Sequence, residues 1–522
     1  MRKLLLATTL LLLFNSNFAQ KASTDFVTTW RTTKPGNGGD STVVIPIDTN
    51  YTYNFDIDWD NDGIFDDLGV TDTIEHVYPD TGTYTIRIKG LFPRYYQSHA
   101  IIKDDKLIAL EQWGDNAWLN MERMFWVLDS FTYNAVDTPN LTFITSLSRL
   151  FNLNYNFNGD LSNWDVSRIK KMDYVFGGCI SFNQPLASWN VSNVTDMTYL
   201  FLSCTSFNHP LNNWTVDSVR SFGGVFAGSS FNQPLNNWNV QNGEDFFAMF
   251  EGSPFNQSIN NWDLSSATNT AFMFKDNTAF NQPLDNWQVD SVTDMGEMFR
   301  NTIFNQPVDN WQVGNVTRMN SMFRDATFNQ PLPSWNTSNV TRFEFMFSGN
   351  TAFNQDLGNW DIPTDRIPIN RMAGMLDNTN MSTANYDSTI IKWARQNEIG
   401  VQLGAVGLSY CLSDSIRNDL ISNHFWTITG DTLNCLGVSL AEETLPKMEE
   451  DFSIYPNPTE GVFTLERNLD TKTQEVFIYN MQGQLVHSVV LKNQKQQIDL
   501  STFKSGIYLL RVGEKSSRLV IY

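Results

Sequence analysis

Phe182-Asn183-Gln184-Pro185-Leu186-Ala187-Ser188-Trp189-Asn190-Val191-Ser192-Asn193-Val194-Thr195-Asp196-Met197-Thr198-Tyr199-Leu200-Phe201 is one copy of a sentence that the chain repeats nine times. Its Trp returns at Trp164, Trp189, Trp214, Trp238, Trp262, Trp287, Trp311, Trp335 and Trp360, at steps of 24 or 25 residues. A fixed period of that size marks a stacked-repeat architecture, because one copy cannot bury its own aromatics and its neighbours must. Val or Leu follows each Trp by two residues, from Val166 to Val313; Thr337 breaks the column and Ile362 restores it. Two Phe columns follow, Phe176 to Phe347 and Phe182 to Phe353.

The Leu-x-x-Trp-x-Val alternation predicts a short strand with Trp and Val inward. The apolar steps of three and four from Val194 to Phe201 predict one or two helical turns. Stacked strands would place copies about 4.8 Å apart. Aromatic columns that recur in every copy read as core rather than as sugar-stacking platforms. The expected ligand contacts are the variable positions beside the strand: Asn212, Asn213, Asn236, Asn237, Asp285 and Asp309.

The pattern Phe-Asn-Gln-Pro-Leu-x-x-Trp-x-Val-x-x-Val-x-x-Met-x-x-Met-Phe resembles the repeat of BspA-family leucine-rich-repeat surface proteins. Val292-Thr293-Asp294-Met295-Gly296-Glu297-Met298-Phe299 carries it most clearly, and Gln112-Trp113-Gly114 through Met124-Phe125 resembles the entry to such arrays. The resemblance implies a curved solenoid with a parallel sheet on one face, and a secreted or cell-surface role in adhesion or protein binding. The fold class expected is therefore multidomain: a leucine-rich-repeat-like solenoid of short parallel strands plus helical turns, flanked by small β-sandwich domains.

The flanks divide the chain further. Met1-Arg2-Lys3, the apolar run Leu4 to Phe14 and the small-ended exit at Ala19 read as a secretory signal over 1–19. Residues 22–95 alternate like strands. Phe55-Asp56-Ile57-Asp58-Trp59-Asp60-Asn61-Asp62-Gly63 and Tyr78-Pro79-Asp80-Thr81-Gly82-Thr83-Tyr84 resemble PKD-type immunoglobulin-like sandwiches. Asp58, Asp60 and Asp62 before Gly63 match the start of a calcium loop, where alternate carboxylates converge on a hard cation. The twelfth position is Gly69 rather than Glu, and a plain polar turn is the competing reading. No other cofactor is expected. The array with its entry segment spans 96–375, a capping segment 376–436, and an acidic linker 437–450.

Residues 451–522 carry Tyr455-Pro456-Asn457-Pro458, Gly461-Val462-Phe463, Ser505-Gly506-Ile507-Tyr508 and a terminal basic-aliphatic strand. They resemble the type A C-terminal sorting domain of the Bacteroidetes type IX secretion system. That implies export by this machinery, and secretion or attachment at the exterior of a Gram-negative cell. Tyr455, Pro456, Asn457, Pro458, Gly461, Gly506 and Tyr508 are its motif residues. Four cysteines suit an exported protein: Cys411 and Cys435 flank the cap and are read as a disulfide. Cys179 and Cys204 occupy one repeat position 25 residues apart, and either a disulfide or two buried thiols suits them.

The formal charge of −21 argues against a nucleic-acid partner. No second stretch is long and apolar enough to leave the mature chain a transmembrane segment. The five His lie in different modules, and no phosphate loop, nucleophile elbow or zinc motif occurs, so no catalytic residue is assigned and no enzyme is expected. A secreted or cell-surface binding or adhesion protein, taking an extracellular protein or polysaccharide, is the favoured function. An exported carbohydrate-binding accessory or hydrolase is the alternative.

Overall fold

A computed structural model describes residues 24–96, 105–128, 130–362, 371–436, 452–467, 474–480, 485–491, 493–512 and 515–522. The expected signal and linker lie outside these residues. The chain forms two compact units, 1–436 and 437–522.

Each copy in the array is built of successive turns. In the copy quoted above, Trp189 N–H donates to Leu186 O, Val194 to Val191 O, Leu200 to Met197 O and Cys204 to Phe201 O, all at 2.9–3.1 Å. These three-residue steps account for the helix-like apolar spacing without a helix. Copies are joined by single-residue parallel bridges, Ser146↔Lys171↔Asp196↔Ser221↔Asp245↔Asn269↔Asp294↔Arg318↔Arg342. Around each bridge, alternate N–H groups reach the next copy: Met197 to Ser221 O, Tyr199 to Gly223 O, Phe201 to Val225 O, and Ser203 to Ala227 O. The same peptides' carbonyls accept from the copy before, as Asp196 O does from Met172. A column through Lys170, Thr195 and Arg220 runs in reverse, with a shorter one through Ser181 and Ser206.

This geometry corrects the expected fold class. A left-handed residue sits at Tyr199 (φ 55°) and again at Ser203 (φ 56°), and equivalents recur at Ala248, Phe272, Glu297, Ser321 and Phe345. Positive φ every fourth residue interrupts both strand and α-helix. No strand or helix longer than a bridge forms among the described residues 134–382. The protein is multidomain and mostly β, 22% strand against 5% helix, in many small sheets; a leucine-rich-repeat-like solenoid of strands and helical turns is not what the array builds.

The aromatic columns do form the core. Trp164 to Trp360 are 1–4% exposed, and the Phe columns are fully buried. Phe201 lies 4.2 Å from Phe207 in its own copy and 5.8 Å from Phe226 in the next; Trp189 lies 6.5 Å from Trp214. The two separations between copies exceed the strand spacing expected. From Trp189 on, each column indole N–H donates to an aliphatic residue's carbonyl in the preceding copy, as Trp214 does to Leu186 O at 2.9 Å and Trp287 to Ile259 O, whereas Trp164 donates to the Tyr133 hydroxyl. The Asn column links copies on another side: Asn208 Oδ1 accepts the Asn232 N–H, and Asn232 Oδ1 accepts that of Asn256, both at 2.9 Å.

Before the array, β1 (Phe26–Arg31), β3 (Asn54–Asp58), β4 (Asp67–Val70), β6 (Thr83–Leu91), β7 (Leu107–Gln112) and β8 (Thr132–Tyr133) make one sheet in the order β4-β3-β6-β1-β7-β8. β2 (Thr42–Ile45) and β5 (Ile74–Val77) pair separately. One apolar cluster runs from Phe26 through the array to Ile428.

After the array, α1 (Thr383–Trp393) starts at Ser382, whose hydroxyl accepts the Asn385 N–H. Its buried Asp387 accepts the N–H groups of Cys411, Leu412 and Ser413. β9 (Gln402–Gly404), β10 (Ser409–Tyr410), α2 (Asp414–Asn423), β11 (Thr427–Thr429) and β12 (Thr432–Leu433) follow, with β9–β11 and β10–β12 parallel. Arg417 grips Asp431, whose side chain is fully buried, through two hydrogen bonds of 2.7 and 2.6 Å, and Tyr386 donates to the same carboxylate.

The second unit has two sheets around its own core. One is β13 (Phe452–Tyr455), β14 (Val462–Arg467) and β17 (Lys495–Asp499). The other holds β15 (Gln474–Asn480), β16 (Leu485–Leu491), β18 (Gly506–Val512) and β19 (Lys515–Ile521), in the order β16-β15-β18-β19.

Candidate functional site

A polar cleft of about 720 Å³ opens where the first sheet meets the first copies. Arg94, Arg123, Arg149 and Lys171 line it with Asp48, Glu122, Asp173 and Asp196. The acidic side chains have partners within the fold: Asp48 pairs with Arg94 at 2.6 Å, and Glu122 accepts from Ser146 Oγ at 2.5 Å. Asp173 accepts from Ser148 Oγ, and Asp196 from Thr198 Oγ1 at 2.6 Å. Among the described residues Arg123, Arg149 and Lys171 form no ion pair. Arg149 instead lies 4.3 Å over the ring of Tyr174, which stands 4.8 Å from that of Tyr199. Cation and rings thus continue from the cleft along the bridge face, half-exposed. Arg149, Tyr174 and Tyr199 all occupy the left-handed column, which turns their side chains outward.

The six expected ligand contacts lie elsewhere, exposed or half-exposed, and their polar groups bond neighbouring copies. Asn212 Nδ2 donates to Asn236 Oδ1 at 3.2 Å, and its Oδ1 accepts the Asn237 N–H at 2.8 Å. Asn213 donates to Ala187 O, and Asn236 also donates to Asn237 Oδ1. Asp285 accepts from Asn260, and Asp309 accepts the Ser334 N–H. The cleft is hidden from sequence reading because its members are scattered from residue 48 to 196. The recurrence of Arg123 and Arg149 before Tyr174 and Tyr199 is the signal that could have found it.

Of the calcium trio, the fold gathers Asp58 and Asp60 with Asp66; Asp62 turns to accept the Ile64 N–H at 2.7 Å. Cys411 and Cys435 form a disulfide, their Cα atoms 5.1 Å apart. Cys179 and Cys204 do not: both are buried free thiols, donating to Phe151 O and Phe176 O. Each is drawn to a carbonyl one copy back rather than to the other sulfur. Burial holds both well above the usual thiol pKa.

In the second unit the motif residues converge on the last strand. Asn457 Oδ1 accepts the Val520 N–H, and Thr459 exchanges backbone bonds with Val520 and Tyr522. Gly461 (φ 108°) packs where a Cβ would lie 2.5 Å from Ser501 Cα. Tyr455 donates to Glu466 at the end of β13, beside exposed Pro456 and Pro458. Gly506 opens β18 opposite Ile521, and the buried Tyr508 donates to Lys504 O.

Stacked copies, a disulfide-closed cap and a separate terminal β unit define a repeat protein. Residues 119–230, 215–303 and 284–393 match the family described as Mycoplasma protein of unknown function, DUF285, and together these spans cover more than half of the chain. The chain belongs to that family. Residues 453–521 match the secretion system C-terminal sorting domain. No curated protein and no solved structure matches the chain. The sorting tail indicates a secreted or cell-surface protein of the Bacteroidetes and implies the type IX secretion machinery as its partner. Among the described residues no helix is long and apolar enough to cross a membrane.

Proposed function

We propose that this protein is a secreted or cell-surface binding protein and that it takes an acidic extracellular polysaccharide at the cleft and along the adjoining bridge face. The observation that carries this reading is the set of three cations without an ion pair among the described residues, Arg123, Arg149 and Lys171, in a chain of net charge −21. The cleft acids already have partners, so these cations remain available to carboxylates of a ligand, with Arg suited to bidentate contacts. The half-exposed Tyr174 and Tyr199 add aromatic surface beside these cations for a sugar to pack against.

The test is titration of the full chain with a polyuronate and with a neutral glucan. Saturable polyuronate binding, weakened at least tenfold by Arg149→Ala or Tyr174→Ala and by added salt, is the expected result. Unchanged affinity in both variants, or equal binding of the neutral glucan, would place recognition elsewhere.

A further inference from the structure

The end of β3, the turn after it and the start of β4 concentrate Asp56, Asp58, Asp60, Asp62, Asp66 and Asp67 without one basic residue. A carboxylate oxygen from each of Asp58, Asp60 and Asp66 lies within 4.8 Å of the others. Asp58 is fully buried. Its Oδ2 accepts the Gly63 N–H at 2.9 Å and lies 4.0 Å from Arg87 Nε, whereas its Oδ1 is buried with no hydrogen-bond partner among the described residues. A buried carboxylate oxygen left unmatched is costly, and two further carboxylates beside it raise that cost. Arg87 does little to relieve it, because its guanidinium is shared with Asn61 and Asp25.

We propose that Asp58, Asp60 and Asp66 hold a divalent metal ion, and that the ion is calcium. The donors are all oxygen, three of them anionic, which suits a hard cation. The turn is open enough for the larger, less geometrically strict ion to complete its shell with water. Asp62 is outside the set. The ion fastens β4, an edge strand whose ladder to β3 has only the pairs Phe55↔Val70 and Ile57↔Asp67, with a bulge between. The metal does there what backbone pairing does elsewhere in the sheet.

The test is isothermal titration of metal-stripped full chain with calcium alone, and separately with magnesium. One calcium per chain is expected, with affinity at least tenfold weaker in Asp60→Asn and in Asp66→Asn and unchanged in Asp62→Asn. Asp62→Asn keeps the side-chain oxygen that receives Ile64. Tryptophan fluorescence of each variant checks that the fold survives. No calcium binding at millimolar concentration, binding indifferent to Asp60→Asn and Asp66→Asn, or preference for magnesium would each overturn the assignment.

Discussion

At the scale of single residues the array depends on backbone conformations that side chains disfavour. Left-handed φ costs a non-glycine residue about 1 kcal/mol or more, yet Tyr199, Phe272, Glu297 and Phe345 adopt it, held by bonds to the next copy. At Gly252 (φ 62°) a Cβ would meet nothing within 4 Å, so Gly252→Ala isolates the backbone term. It is expected to destabilise the first unit by about 1 kcal/mol. Ser321→Gly, at φ 53°, is expected to leave stability level or raise it. Denaturation followed by tryptophan fluorescence reads both, because every Trp lies before residue 437. The buried thiols give a second test: Cys179 and Cys204 should resist alkylation at neutral pH until the array unfolds, then release two equivalents. The Trp and Phe columns were legible because burial selects residue type. The left-handed columns were not, since Tyr, Phe, Ala and Glu occupy one of them. The recurrence of Gly178, Gly228, Gly252 and Gly349 in the other, with Gly224 and Gly374 in the first, hinted at positive φ. Asp66 was not legible as a ligand because it lies outside the alternating run that ends at Asp62.

At the scale of elements, α1 is fastened to the last copy by Asp356. That carboxylate receives Lys392 Nζ at 2.5 Å, Ser388 Oγ at 2.9 Å and the Gly358 N–H at 2.8 Å. Burial pushes its pKa up, but the Lys392 hydrogen bond and the other donors outweigh burial and hold it below the ordinary 3.8. A depressed carboxylate stabilises the fold at pH above its unfolded value and loses that contribution as pH falls through the lower folded value. Wild type and Asp356→Asn should therefore differ in stability at pH 6, and the difference should shrink as the pH falls below the ordinary 3.8, read by thermal unfolding. The Cys411–Cys435 bridge closes the cap, and its reduction is expected to cost about 3 kcal/mol by loop entropy. The first helix of the cap spaces its buried Tyr386, Ile390 and Trp393 three or four residues apart. The same spacing misled in the array, where turn after turn also places an apolar residue every three or four positions.

At the scale of the molecule, copies meet only their neighbours, so stability is nearly additive along the stack. Deleting residues 239–262 removes one whole period and should leave a folded, slightly less stable first unit. Deleting 239–250 shifts every column out of register and should abolish cooperative unfolding of that unit. Circular dichroism and tryptophan fluorescence distinguish the two.

The net forward direction of the backbone hydrogen bonds between copies has an electrical consequence. Four ladders point forward against the reverse column at Thr195 and its shorter companion, so the peptide dipoles do not cancel. They add along the axis as they do in a helix. The stack is a polarised bar, negative where its carbonyls lack a preceding copy. Arg94 Nη2 reaches Glu122 O at that end, at 3.4 Å, and Arg123 belongs to the same first copy. There the Glu122 carbonyl adds to the negative field that Asp48 already presents to Arg94. Adding copies at the far end lengthens the bar without changing the sign of the end that carries the cleft.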